Sequence, residues 1–160
     1  MREKILRVLT AEGRLADAEI AERLGLTAEE VAAEITAMEA EGLILGYRAL
    51  VDWSKSQVER VFAYILVEGT PEHGAGFDQL ARHIARFDEV HSVHLTSGSA
   101  DLTVVVEGKD FRDIALFVAE KLAPISGVTG TSTSFVLKTY KLEGRLMGDI
   151  PSSRRLAVSP

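Results

Sequence analysis

Apolar positions in the first forty residues recur with the period of an α-helix, and further along the chain that period gives way to strand-like runs. Ile5, Val8 and Leu9 stand at i, i+3 and i+4, with Glu12 at i+7 and Gly13 closing the stripe, which predicts a first helix over residues 3–12. Ile20, Ala21 and Leu24 repeat the pattern from Asp17, and Gly25 ends it as a residue that takes positive φ without strain. Thr27-Ala28-Glu29-Glu30 is a capping box ahead of Val31, Ile35 and Met38, so a third helix is predicted from about Ala28 to Glu41, with a stop at Gly42. Only Gly25-Leu26-Thr27 separates the second and third helices, and so tight a turn marks a helix-turn-helix; a generic helical bundle is the alternative. The apolar, extended run Leu43-Ile44-Leu45-Gly46-Tyr47 fits a small wing or ribbon. Residues 52–59 are polar and aperiodic, a linker in which Trp53 is read as a packing aromatic of the hinge.

From Arg60 onward strand and helix alternate. Residues 60–68, 90–96, 101–107 and 128–139 are strand-like, whereas Phe77, Leu80, Ala81 and Ile84, and later Phe111, Ile114, Ala115, Val118 and Leu122, line single helical faces. The order βαββαβ is that of a ferredoxin-like antiparallel sheet with two helices on one side. The fold class predicted is therefore α+β: a winged helix-turn-helix head at 1–51, a linker at 52–59, a ferredoxin-like domain at 60–141 and a tail at 142–160. A sheet covered on one side only should alternate cleanly between apolar and polar residues. Here Val61, Ala63, Ile65 and Val67 alternate with Phe62, Tyr64 and Leu66, and Leu102, Val104 and Val106 with Thr103 and Val105, so both faces are apolar. The uncovered face is expected to pack on another copy of itself, which implies a homodimer or something larger.

Composition narrows the classes. The chain of 160 residues contains no cysteine, which removes disulfide scaffolds, zinc ribbons, iron-sulfur clusters and thiol nucleophiles together. The apolar runs are too short to cross a bilayer and no basic segment with an apolar core opens the sequence, so no membrane partner and a cytoplasmic setting are expected. The net charge of −6 argues at first sight against a polyanionic partner. It is unevenly distributed: residues 1–52 carry six basic against eleven acidic residues, a balance of −5, and the remainder twelve against thirteen, a balance of −1. No catalytic constellation is present. His91 and His94 are three apart on a strand and so are expected to point to opposite faces, His83 lies beside the apolar helical face, and His73 sits in a loop. Neither a metal nor a cofactor is expected, and an enzyme reading ranks last.

Order and spacing of several short motifs resemble the Lrp/AsnC, or feast/famine, transcription regulators over about Arg2 to Lys141. In the first part these are Gly13-Arg14-Leu15, Glu19-Ile20-Ala21, Leu24-Gly25-Leu26-Thr27 and Gly46-Tyr47; in the second they are Ser97-Gly98-Ser99-Ala100-Asp101-Leu102, Ser126-Gly127-Val128 and Thr131-Ser132-Thr133. The resemblance implies a DNA-binding head on an effector module that dimerises through its sheets and assembles to tetramers or octamers. It implies DNA contact at the start of the third helix, through Thr27, Ala28, Glu29, Glu30, Ala32, Ala33, Glu34 and Ala37. It also implies an effector, usually an amino acid, held near Gly98, Ser99, Ala100 and Asp101 and by Thr131 and Thr133. The backbone N–H groups of the 97–100 turn suit a carboxylate and Asp101 an ammonium, while Thr131 and Thr133, on one face of the last strand, offer hydroxyls. The bland alternatives are that Gly98 makes the turn, Asp101 caps it and the threonines are strand formers.

Three departures from the family pattern bear on function. Glu34 stands where relatives usually carry arginine, and the helix positions expected to be exposed, from Ala28 to Ala40, include no Lys, Arg, Asn or Gln. Ala16 replaces a capping Ser or Thr, a loss of about 1 kcal/mol unless Asp17 takes over. Ala100 replaces a common aromatic. Two readings follow: a DNA-binding, amino-acid-responsive regulator, or an effector-binding oligomer whose acidic head has lost DNA binding and acts through a protein partner such as a basic paralogue.

Overall fold

The computed structural model describes residues 1–147, and its chain divides into two units, Met1–Val51 and the portion from Asp52 onward. The first unit is three helices: α1 (Arg2–Ala11), α2 (Asp17–Leu24) and α3 (Ala28–Ala40). Their apolar stripes meet at Ile5, Ile20, Ala21, Val31 and Met38, all buried, with Leu9, Leu24 and Ile35 packed around them. The capping box holds as expected: Glu30 N–H donates to Thr27 Oγ1 at 3.2 Å and Thr27 N–H to Glu30 Oε2 at 2.9 Å. Gly25 ends α2 at φ 68°. At the start of α2 the missing cap is offset differently from the expectation, since Glu19 rather than Asp17 turns back to accept the Ala16 N–H at 2.9 Å. After the tight stop at Gly42, Leu43 and Ile44 bend back to donate to Met38 O, and residues 45–51 have no regular structure and take no strand partner among the described residues. The wing-like segment thus lacks a ladder of its own, and Leu45, 94% exposed, shows how little covers it.

Asp52 caps a short turn at Trp53–Lys55, and the Arg60 guanidinium lies 4.0 Å over the Trp53 ring, the packing role expected for that aromatic. The strands and helices that follow are β1 (Val61–Gly69), α4 (Asp78–Ile84), β2 (Val90–Leu95), β3 (Leu102–Gly108), α5 (Phe111–Phe117, continued by a wider π turn over Val118–Leu122) and β4 (Val128–Phe135). They form one antiparallel sheet in the order β2-β3-β1-β4. Ala63, Ile65, Val67, Leu102, Val104 and Val106 are buried on one face beneath Leu80 and Ile84 of α4, Ile114 and Phe117 of α5 and Leu122. On the other face Tyr64 is 50% exposed and Leu66 37% exposed, with Phe62, Thr103 and Val105 half-buried beside them. Both faces are apolar, and only one is covered within the chain.

Two expectations are corrected here. His91 and His94 do not point to opposite faces. A bulge between Val90 and Ser92 inserts one residue, so His91 reaches Glu107 Oε2 (2.5 Å) and packs edge-on against Phe62, while His94 pairs with Thr103, all on the open face. β4 ends at Phe135 rather than Thr139, and the chain re-forms as a hairpin of β5 (Lys141–Leu142) and β6 (Arg145–Leu146), so the tail does not begin at 142. Its turn is Glu143-Gly144 at φ 44° and 80°, the positive pair that a two-residue hairpin turn requires. Arg154 and Arg155 lie outside the described residues.

Candidate functional site

In the helical unit, side-chain pairing decides which charges face solvent. Arg2 Nε donates to Glu34 Oε2 at 2.7 Å, and its two Nη groups bracket Glu41 at 2.6 and 3.0 Å. The hydrogen bonds that Arg2 donates to Glu41 and Glu34 hold its guanidinium above the usual range, and the bond from Arg2 holds the Glu41 carboxyl below the usual carboxylate range. Glu34, the residue most at odds with DNA contact, is therefore half-buried and paired with a side chain thirty-two positions earlier, which it shares with Glu41. Arg7 pairs with Glu3 and Arg23 with Glu12, each at 2.7 Å. Tyr47 O–H donates to Glu39 Oε1 at 3.0 Å, and burial first, then that bond, pushes the phenol above its usual range. Lys4, Arg14 and Arg48 have no ion pair among the described residues.

Of the positions expected to present α3 to a groove, Thr27, Glu29, Glu30 and Ala33 are exposed, but Ala28, Ala32, Glu34 and Ala37 are only half-exposed, because they lie along the flanks turned toward the rest of the head. The outward stripe is Glu29, Ala33, Thr36 and Ala40. Thr36 was not among the expected positions; its place at i+7 from Glu29 on the same stripe is the signal that identifies it.

In the second unit the turn at Gly98 to Asp101 lies at the end of the sheet. Asp101 Oδ2 accepts from Gly69 N–H at 2.9 Å, and Asp101 N–H donates to Val67 O at 3.1 Å, so the turn is tied to the end of β1. Gly69 is a further member of this arrangement that the motifs did not single out. A Cβ there would lie 2.9 Å from Leu80 Cδ2 and 3.0 Å from Gly127 O, a close approach that the glycine at a strand end could have signalled. Gly98 lies in the bend at 97–101, but its φ is not positive and a Cβ built on it meets nothing within 4 Å, so the bend does not require glycine there. Ala100 is buried and Ser99 exposed. Thr131 pairs with Val67 and Thr133 with Ile65, so both share the helix-side face of β4, Thr131 exposed and Thr133 half-buried. Asp101 and Thr131 thus flank Val67 from the strands on either side of β1. None of the six lines the cleft of about 730 Å³ bordered by Arg60, Glu89, Glu107, Lys109 and Lys121. Among the described residues no group of three His, Asp or Glu is placed to hold a metal, and no helix is long and apolar enough to cross a membrane.

Residues 62–146 match the family model described as the Lrp/AsnC ligand-binding domain, and residues 1–44 match that of a winged helix-turn-helix DNA-binding domain. Over 158 residues the chain is 40% identical to the uncharacterized HTH-type transcriptional regulator YugG of Bacillus subtilis, covering 98% of this chain and 95% of that protein. It is 31% identical over 137 residues to an uncharacterized HTH-type transcriptional regulator of Pyrococcus horikoshii, covering 86% and 84%. A transcriptional regulator of Neisseria meningitidis, solved as its L-methionine complex, superimposes with a TM-score of 0.70 at 28% identity over 88% of this chain and 90% of that one.

Proposed function

The chain belongs to the Lrp/AsnC family of helix-turn-helix transcription regulators, and on that premise we propose that it senses an amino acid at the Gly98 to Asp101 turn and Thr131 and Thr133, between copies of itself. Gly98 carries this reading. Neither its φ nor any neighbour within the chain calls for glycine, and the bare backbone it leaves at the surface is open to the approach of a ligand or a second copy. The turn's N–H groups suit the effector carboxylate, the second carboxylate oxygen of Asp101 its ammonium, and the threonine hydroxyls the remaining polar edge. The L-methionine bound by the meningococcal regulator is of this chemical class. Association through the open face of Phe62, Tyr64, Leu66 and Val105 builds the oligomer between whose copies the effector sits, and effector binding shifts assembly or the presentation of the heads.

The match of residues 1–44 to a DNA-binding model favours a head that acts on DNA over one that acts only through a protein partner. The effector site is tested by thermal unfolding with each of the common amino acids. Asp101→Asn keeps an oxygen for the Gly69 N–H but removes the charge, and Gly98→Ala keeps the fold; both are expected to abolish the stabilisation seen with the parent protein. Undiminished stabilisation in both variants would place the ligand elsewhere.

A further inference from the structure

Resting on the reading of α3 as the helix that enters DNA, we propose that this head selects its sites through cytosine amino groups and thymine methyl groups. Glu29 is the hydrogen-bond acceptor, and Ala33 and Thr36 are the surface that touches the methyls. Glu29, Ala33, Thr36 and Ala40 stand at i, i+4, i+7 and i+11, an exposed stripe opposite the buried Val31 and Met38. The helical rise sets Glu29 and Thr36 about 10 Å apart along the axis, the span of roughly three base pairs.

Every other carboxylate of α3 is engaged inside the head: Glu30 by the Thr27 N–H at 2.9 Å, Glu34 by Arg2 at 2.7 Å and Glu39 by the Tyr47 hydroxyl at 3.0 Å. Glu29 has no partner among the described residues, and it lies in the first turn, the part of such a helix that meets base edges. The Thr36 hydroxyl donates its hydrogen to Ala32 O at 2.9 Å. In the major groove a carboxylate accepts from cytosine N4, and small apolar groups contact the thymine C5 methyl. Guanine and adenine are read mainly by Arg, Lys, Asn or Gln, and α3 contains none of these. The attraction to phosphate is left to Lys4, Arg14 and Arg48, off this helix.

The test uses the full chain and a pool of randomised duplexes at about 50 mM salt. Enriched sites are expected to carry cytosine and thymine within a three-base-pair window. Deoxyuridine in place of those thymines should weaken binding about fourfold per methyl removed. Glu29→Gln, at an exposed and unbonded position and expected to unfold at the parent's temperature, should move the preference at one base pair from cytosine to adenine. Deoxyuridine duplexes bound as tightly as thymine duplexes, or an E29Q pool with the parent's base preference, would overturn this assignment and leave the regulator reading intact. A pool with no enrichment at all would overturn the entry of α3 into DNA itself, and this proposal with it.

Discussion

The two units of this protein solve the placing of charge in opposite ways. The head is small, with five fully or nearly fully buried apolar side chains at its centre, and it holds most of the chain's excess acid. Its electrostatics are set by partners: Arg2 takes Glu34 and Glu41, Arg23 takes Glu12, Arg7 takes Glu3, and Tyr47 takes Glu39. The second unit is close to neutral, and its core of eleven buried residues spans a four-stranded sheet and two helices. Its proposed effector positions are set by backbone: the turn tied to β1 through Asp101, and a glycine, Gly98, that no contact within the chain demands. Pairing leaves the net charge of the head unchanged, but it decides which carboxylates stay unpaired at the surface and which cations are left for a polyanionic partner.

The sharpest way to break this contrast is to remove the centre of the smaller core. Met38→Ala should cost about 2–5 kcal/mol of head stability. If the units are as separate as their cores, the head's thermal transition falls while the second unit keeps both its transition and its response to amino acids; a single shared shift in calorimetry would join them. Next in size is association. Tyr64→Glu on the open face should turn the oligomer into monomers in sedimentation, and an unchanged mass would show that the apolar face is not the contact surface. Ala16→Ser supplies the cap that Glu19 replaces only on its own side, and should raise head stability by about 1 kcal/mol without affecting the second unit.

The smallest effect is one of pH. Glu41 is held below its ordinary range by hydrogen bonds from Arg2, and Glu89 by the bond from Lys121. Folded values below the unfolded ones mean that this stabilisation is complete above the ordinary carboxylate range and is lost as pH falls through the folded values. Both pairs are exposed enough that solvent screens them. The thermal midpoint should therefore fall only slightly more between about pH 6 and about pH 3 in the parent than in a Glu41→Gln, Glu89→Gln variant.

Much of this was legible in the residues. The 3.6-residue stripes through Ile5, Ile20, Val31 and Met38 and the order βαββαβ follow from periodicity, which burial enforces directly. What escaped depends on contacts distant in sequence or on a single inserted residue. Glu34 is paired from position 2, which no local pattern records. The bulge at His91 resets strand alternation, so two histidines three apart share a face. β5 and β6 are two residues each, too short for any period, and only Glu143-Gly144 hints at their turn. Thr36 was missed because its stripe emerges only after the flanks of α3 are seen to be covered.

The most direct test of a head that acts on DNA in spite of its acid is a salt titration of the full chain on a duplex that it enriches. Three cations per head lack an ion pair among the described residues, Lys4, Arg14 and Arg48, so log K is predicted to fall with log salt at a slope of about −3 per head or shallower. The contradicting result is an absence of binding even near 50 mM salt, which would mean that the three unpaired cations do not overcome the repulsion of the head's net charge.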